Sequence, residues 1–430
     1  MSKVNCVVSA PVDTYSGYGG RSRDLVRAII NGKPDWDVKV LAQRWGNTRT
    51  GYLKDHGDVD IIPRIIPNMH QKPDVWIQVT VPNEFSPVGK YNIGVTAGIE
   101  TTLCAPEWVQ GVNRMDLVIT SSQHSKDTFL RSVFGQNNEQ GQQIGEIKVS
   151  RPIEVLFEGL DTEKYFKSSQ KGTSELVSSL DIIKEQFCYL TMGHWMQGEL
   201  GHDRKNIGYT IKAFLETFKN KSNPPALVLR VQRTTSSIMD QTAVLKQIGK
   251  IRQTVRGTLP NVYLLHGDLS DEMVNELYNH PKIKAMVSFT KGEGFGRPLL
   301  EFGVTGKPII ASGWSGHVDF LGINRAFLVG GDLENVHPSA AVKDVLMTES
   351  HWFKPSDAEV GKTLRYVHKK YKDALTVSRK QPQFVKDNFT LEKMQDRLCN
   401  LLDSYVPEFA QQVELTLPKL KLPKLKKVEA

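Results

Sequence analysis

Short apolar runs alternate along the chain with longer stretches that carry one apolar face. Val4 to Ser9, Asp37 to Leu41, Val75 to Val79, Asn92 to Thr96, Leu117 to Thr120 and Glu154 to Phe157 have the length and apolar content that predict strands. Arg21 to Ile30 and Ser125 to Val133, which fall between them, predict helices. The pattern then repeats. Phe187 to Met192, Ala226 to Val231, Val262 to His266, Ala285 to Ser288 and Pro308 to Ala311 form a second strand set, separated by helical stretches such as Ile207 to Phe218 and Asp271 to Tyr278. Strands that alternate with helices imply a parallel sheet covered on both faces.

An α/β protein of two Rossmann-like domains is therefore expected, and a length of 430 residues suits that number. The boundary falls between Gly159 and Ser174, where an apolar strand gives way to a polar segment rich in serine and lysine. The expected division is residues 1–160 for an N-terminal domain, 175–385 for a C-terminal domain, 386–412 for a helix packing back toward the first domain, and 413–430 for a flexible basic tail.

The stretch from Val287 to Ala311 names a ligand chemistry. It reads as a buried strand, a glycine turn, a helix and another strand. A helix start offers unpaired amides and the positive end of the dipole, which attract a diphosphate. Gly294 and Gly296 let backbone approach the ligand, and Pro298 suits the first helical position because it has no N–H to leave unsatisfied. Glu293 in the turn and Glu301, expected in the helix's first turn, are repelled by phosphate and are left to bind hydroxyls. A diphosphate flanked by hydroxyls describes a nucleotide sugar.

The run Glu293-Gly294-Phe295-Gly296-Arg297-Pro298-Leu-Leu-Glu301 closely resembles the signature of glycosyltransferase family 4, the retaining enzymes of the GT-B fold, whose two domains face across a cleft. The resemblance implies that Glu301 binds the ribose of a nucleotide-sugar co-substrate and that Glu293, with the amides near Phe295 to Arg297, holds the sugar. The segment from Met192 to Asn206 resembles the family's diphosphate loop, with Arg204 and Lys205 as the basic pair and His194 where an arginine is common. Glu293, Arg204 and Lys205 are the implied catalytic set. Fixed cations stabilise the charge that builds on a leaving diphosphate. On the acceptor side, Gly17, Tyr18, Gly19 and Gly20 form a glycine loop opening a helix, and Glu100 follows a strand at the end that faces the crevice. Retaining enzymes of this fold often lack an obvious protein nucleophile, so front-face transfer is expected, with the departing phosphate deprotonating the acceptor.

The loop from Ser16 to Asp24 and the run from Gly98 to Thr102 look similar to bacteriophage-encoded members of the family, some of which glycosylate hydroxymethylated bases in their own DNA. A hydroxylated or hydroxymethylated base in phage DNA is the acceptor expected here, ahead of a lipid, a glycan or a small molecule; a non-catalytic sugar-nucleotide scaffold is the alternative from another class. Asp58 and Asp60 enter a strand-like run and lack the apolar surroundings of a metal-binding pair, and the histidines lack ligand spacing, so neither metal nor other cofactor is expected.

Composition fits a globular protein, with 39% hydrophobic and 24% charged residues. Cys6, Cys104, Cys188 and Cys399 are scattered, as in a reducing compartment. No long apolar core opens the chain, and no apolar run reaches the roughly 20 residues of a membrane span. A cytoplasmic protein is expected, in the host cytoplasm if phage-encoded. Of the net charge of +8, the segment from Val413 to Ala430 supplies +3 through five lysines and two glutamates. Its prolines forbid a continuous helix.

Overall fold

The computed structural model describes residues 3–138, 140–170, 172–233 and 236–409. The basic tail and residues 410–412 of the expected C-terminal helix segment lie outside the described residues.

The first strand set becomes β1 (Val4–Ala10), β2 (Trp36–Ala42), β3 (Val75–Val79), β4 (Tyr91–Thr96) and β5 (Leu117–Thr120). A hairpin of β6 (Phe134–Asn137) and β7 (Gln143–Ile147) stands apart, and β8 (Ile153–Val155) completes a six-stranded parallel sheet ordered β2-β1-β3-β4-β5-β8. The second sheet contains β9 (Cys188–His194), β10 (Ala226–Gln232), β11 (Val262–Leu264), β12 (Ile283–Ser288), β13 (Ile309–Ser312) and β14 (Phe327–Val329), in the order β11-β10-β9-β12-β13-β14. A second hairpin, β15 (Gly331–Asn335) and β16 (His351–Pro355), follows it.

Helices α1 (Gly17–Gly32), α2 (Tyr52–His56), α3 (Pro106–Arg114) and α4 (Gln123–Arg131) accompany the first sheet. Helices α5 (Glu175–Asp181), α6 (Ile207–Phe218), α7 (Ile238–Gln253), α8 (Asp271–Asn279) and α9 (Arg297–Gly303) accompany the second, and α10 (Asp357–Lys369), α11 (Tyr371–Ser378), α12 (Gln381–Asn388) and α13 (Leu391–Tyr405) end the described chain. The central strands are buried almost throughout, because helices cover both faces. Among the described residues no helix is long and apolar enough to cross a membrane.

Two of the boundaries that differ from expectation have clear local causes. Helix α1 begins at Gly17 rather than Arg21, because Ser16 caps it by accepting from the Gly19 N–H at 2.9 Å. Strand β8 stops at Val155 rather than Phe157, where the buried Arg21 guanidinium donates to the Leu156 and Phe157 carbonyls at 2.6 and 2.8 Å.

The chain passes between the two halves at two places that lie side by side. Leu160 N–H donates to Phe389 O at 2.7 Å, and Leu391 N–H donates to Leu160 O at 3.0 Å. A Cβ on Gly159 would sit 2.7 Å from Leu391 Cα, so this approach requires glycine. Beyond the second passage α13 lies against α1: Lys33 pairs with Asp403, Arg21 reaches Met394, and Tyr405 donates to Glu154 at 2.7 Å. The aromatic rings of Phe157, Phe295, Phe320 and Phe389 form a bridge of packed apolar surface between the halves.

A candidate active site in the interdomain cleft

Parallel sheets deliver side chains from the carboxyl ends of their strands, and here two such ends face each other. The first half offers the β1–α1 turn and the segment after β4. The second offers the end of β9, the loop that leads to α6, and the turn between β12 and α9. A cavity of about 640 Å³ lies between them, lined by Gly17, Tyr18 and Glu100 on one side and by His194, Arg204, Lys205, Glu293, Gly294 and Arg297 on the other.

The loop before α6 is fixed at its end. Asp203 caps the helix by accepting from Ile207 N–H at 3.0 Å, and burial pushes its carboxyl up to about 6. Asn206, in the left-handed region at φ 54°, donates from its amide to Phe289 O at 2.9 Å. This anchoring sets Arg204 and Lys205 beside the glycine turn. Arg204 pairs with Glu100 across the cleft at 2.7 Å and donates to Gly292 O at 3.2 Å. Lys205 donates to both oxygens of Glu293, at 2.6 and 2.5 Å. Burial works to raise the Glu293 carboxyl, but Lys205 and Arg204 outweigh it and hold the group below its ordinary pKa. It is therefore ionised at neutral pH. His194 ends β9 on the cavity wall, where desolvation, then Lys205, Arg230 and Arg204, lower its pKa. It is neutral at pH 7, which leaves Arg204 and Lys205 as the paired cations of this wall.

The turn itself touches the opposite half. A Cβ on Gly294 would come within 2.7 Å of Ala97 O, while Gly296 takes φ 95° as it caps α9. Phe295 turns its ring into the core, so only its backbone faces the cleft. Helix α9 has seven residues, and Glu301 sits in its second turn rather than its first. A helix so short contributes a modest dipole, which leaves anion binding to the cations.

Glu293 and Glu301 line different chambers. Glu301 faces an adjoining cavity of about 280 Å³ with Tyr165 and Asp271, and Tyr278 donates to its Oε2 at 3.1 Å. Burial pushes its carboxyl up to about 8, with Arg297 offsetting part of the effect. Arg297 lines both cavities: it pairs with Asp24 of α1 and lies 3.7 Å from Glu301 and 4.0 Å from Glu158. The sequence reading used Arg297 for its amide; its side chain bridges the two halves.

The acceptor-side glycines divide in the same way. All lie in the first turn of α1 rather than in a loop before it. Gly17 faces open space, Gly19 packs on Thr14, and Gly20 leaves room for Arg297. The Tyr18 hydroxyl sits 3.1 Å from Thr96 Oγ1 and accepts from Ala97 N–H at 3.0 Å. Sequence reasoning missed Asp24, Trp45, Arg49 and Glu158, although the placement of Glu158 directly after an apolar strand was a usable signal. Asp58 and Asp60 hold Arg27 at 2.5 and 2.7 Å. Among the described residues no group of three or more His, Cys, Asp or Glu is placed to hold a metal ion.

No family model matches the chain, and no curated protein matches it in sequence. Its structure is nevertheless similar to solved proteins over nearly its whole length. A glycosyltransferase from Rickettsia africae superposes with a TM-score of 0.64 at 13% identity, covering 94% of this chain and 99% of that one. HepE from Anabaena, solved with UDP-glucose, gives a TM-score of 0.62 at 14% identity over 93% and 99%. A sucrose-phosphate synthase from Thermosynechococcus elongatus gives 0.60 at 12% identity over 94% and 98%. At these identities the likeness defines the fold: two Rossmann-like domains facing across a cleft, the GT-B architecture.

Proposed function

We propose that the chain is an enzyme that transfers a glycosyl group from a nucleotide sugar to an acceptor hydroxyl with retention of configuration. The observation that carries this reading is the grouping of Arg204 and Lys205 beside an ionised Glu293 on the donor wall, Lys205 paired with Glu293 and Arg204 with Glu100 opposite. HepE, solved with UDP and with UDP-glucose, shares the fold and supports the donor class.

The diphosphate takes Arg204 from Glu100 and shares Lys205 with Glu293, whose carboxylate accepts from sugar hydroxyls. Glu301, in the adjoining chamber, hydrogen-bonds the ribose hydroxyls. The bond from the anomeric carbon to the phosphate oxygen breaks and the bond to the acceptor oxygen forms on the same face. The acceptor proton passes to the departing phosphate oxygen. Arg204 and Lys205 take up the charge that develops, so the reading uses no metal and no protein nucleophile.

For the acceptor, the reading is a hydroxymethylated base in DNA, supported by the resemblance of the Ser16–Asp24 and Gly98–Thr102 runs to phage-encoded enzymes. Such a base must leave the stack, at a cost of a few kcal/mol. The four cysteines are free, and Cys6, Cys104 and Cys188 are buried, which supports work in a reducing cytoplasm.

Incubation with a donor panel and hydroxymethylated duplex DNA, followed by mass analysis of the nucleosides, tests both parts. A nucleoside heavier by one sugar is expected. Unmodified DNA beside a glycan or lipid extract that gains mass overturns the acceptor, and donor binding without transfer or hydrolysis leaves a non-catalytic scaffold.

A further inference from the structure

The first half's cleft wall carries an aromatic plate for which the donor side has no use. Residues 43–49 follow β2 and bend in a tight turn, where Thr48 N–H donates to Trp45 O at 3.0 Å and Gly46 takes φ 49°. The turn presents Trp45 to the cavity, stacked on Tyr18 with ring centroids 3.8 Å apart and planes 19° from parallel. Tyr18 is pinned at its hydroxyl by Thr96 and Ala97, so the plate is rigid.

A tryptophan placed only for packing buries its ring, as Trp76, Trp108 and Trp352 do. Trp45 does not: it is half-buried and belongs to none of the apolar clusters. The segment from Gln43 to Lys54 contains Arg44, Arg49 and Lys54 and no acidic residue. Arg49 lies 4.5 Å over the Tyr15 ring, pairs with Asp55 at 2.7 Å, and reaches within 3.8 Å of Asp268 on the opposite rim. Cations interleaved with a stacking ring are the means by which proteins hold an unstacked nucleic-acid strand.

We propose that Trp45 is the stacking surface for an unpaired nucleobase of the acceptor strand, with the exposed cations of its own segment meeting the adjacent phosphates. This inference rests on the transferase reading for its purpose, but its test does not require turnover. Fluorescence anisotropy of a labelled single-stranded oligonucleotide containing hydroxymethylated cytosine is measured without donor. Trp45→Ala is expected to weaken binding about tenfold or more, the size of one lost base stack, while Trp45→Phe retains most of the affinity. Recovery with phenylalanine separates stacking from a folding defect. Equal affinity of wild type and Trp45→Ala overturns the proposal, as does a loss confined to a glycan ligand. Absence of sugar transfer by a wild type that still binds through Trp45 overturns the transferase reading instead.

Discussion

Glu301 is a carboxyl that the fold keeps protonated. Burial raises it to about 8 from an ordinary value of 4.5. In the window between those values the folded state holds a proton that the unfolded state has lost, so stability falls as pH rises through it. The melting temperature of the wild type is expected to decline between about pH 5 and about pH 8, by an amount on the order of a few kcal/mol in stability. Glu301→Gln removes that component, and an unchanged pH slope in the variant shows that another group is responsible. The donor wall makes a separate prediction. Arg204→Ala is expected to lower kcat by roughly 10² to 10³, the cost of one lost contact to a developing anion. Steady-state rates with the donor found by the panel measure this; a change in donor KM alone shows ground-state binding instead. These residues were legible to different degrees. Glu293 was legible in the turn after β12, and Arg204 and Lys205 in the loop that leads to α6, but nothing in the sequence placed Lys205 against Glu293. The reach of the Arg297 side chain was not legible, because a long side chain that crosses a cleft to Asp24 leaves no trace in local spacing.

At the scale of elements, the central strands were readable because burial on both faces makes them apolar runs. Strand β15 was not, since it is largely exposed and its pattern is polar. Helix α7 escaped for a related reason: Val244, Ile248 and Ile251 face inward, but Ile238 and Met239 at its start are more than 80% exposed and blur the periodicity. The crossing at Gly159 is the element-level feature that no pattern announces. It depends on two segments more than 200 residues apart meeting without side chains between them. Gly159→Ala forces the new methyl against Leu391 Cα and is expected to cost about 1–3 kcal/mol. A fall in the urea midpoint measures it; an unchanged midpoint shows that the two passages can part freely.

Across the whole molecule, the ion pairs that span the cleft include Arg297 with Asp24 and, at 4.0 Å, with Glu158, Arg204 with Glu100 at 2.7 Å, and Arg49 with Asp268 at 3.8 Å. Arg297 has the most acidic neighbours, and removing it strands Asp24 and Glu158 together. Arg297→Ala is expected to destabilise the protein by a few kcal/mol and to increase its radius of gyration in solution scattering. A compact, stable variant shows that the apolar bridge alone holds the halves. The packing of α13 on α1 has a consequence for how the molecule is made. Asp403 meets Lys33 from 370 residues farther along the chain. A nascent chain therefore completes its second sheet while α1 still lacks its cover, and the half made first matures last. Until α13 emerges from the ribosome, the uncovered face of α1 is where a growing chain is open to chaperones and to its neighbours.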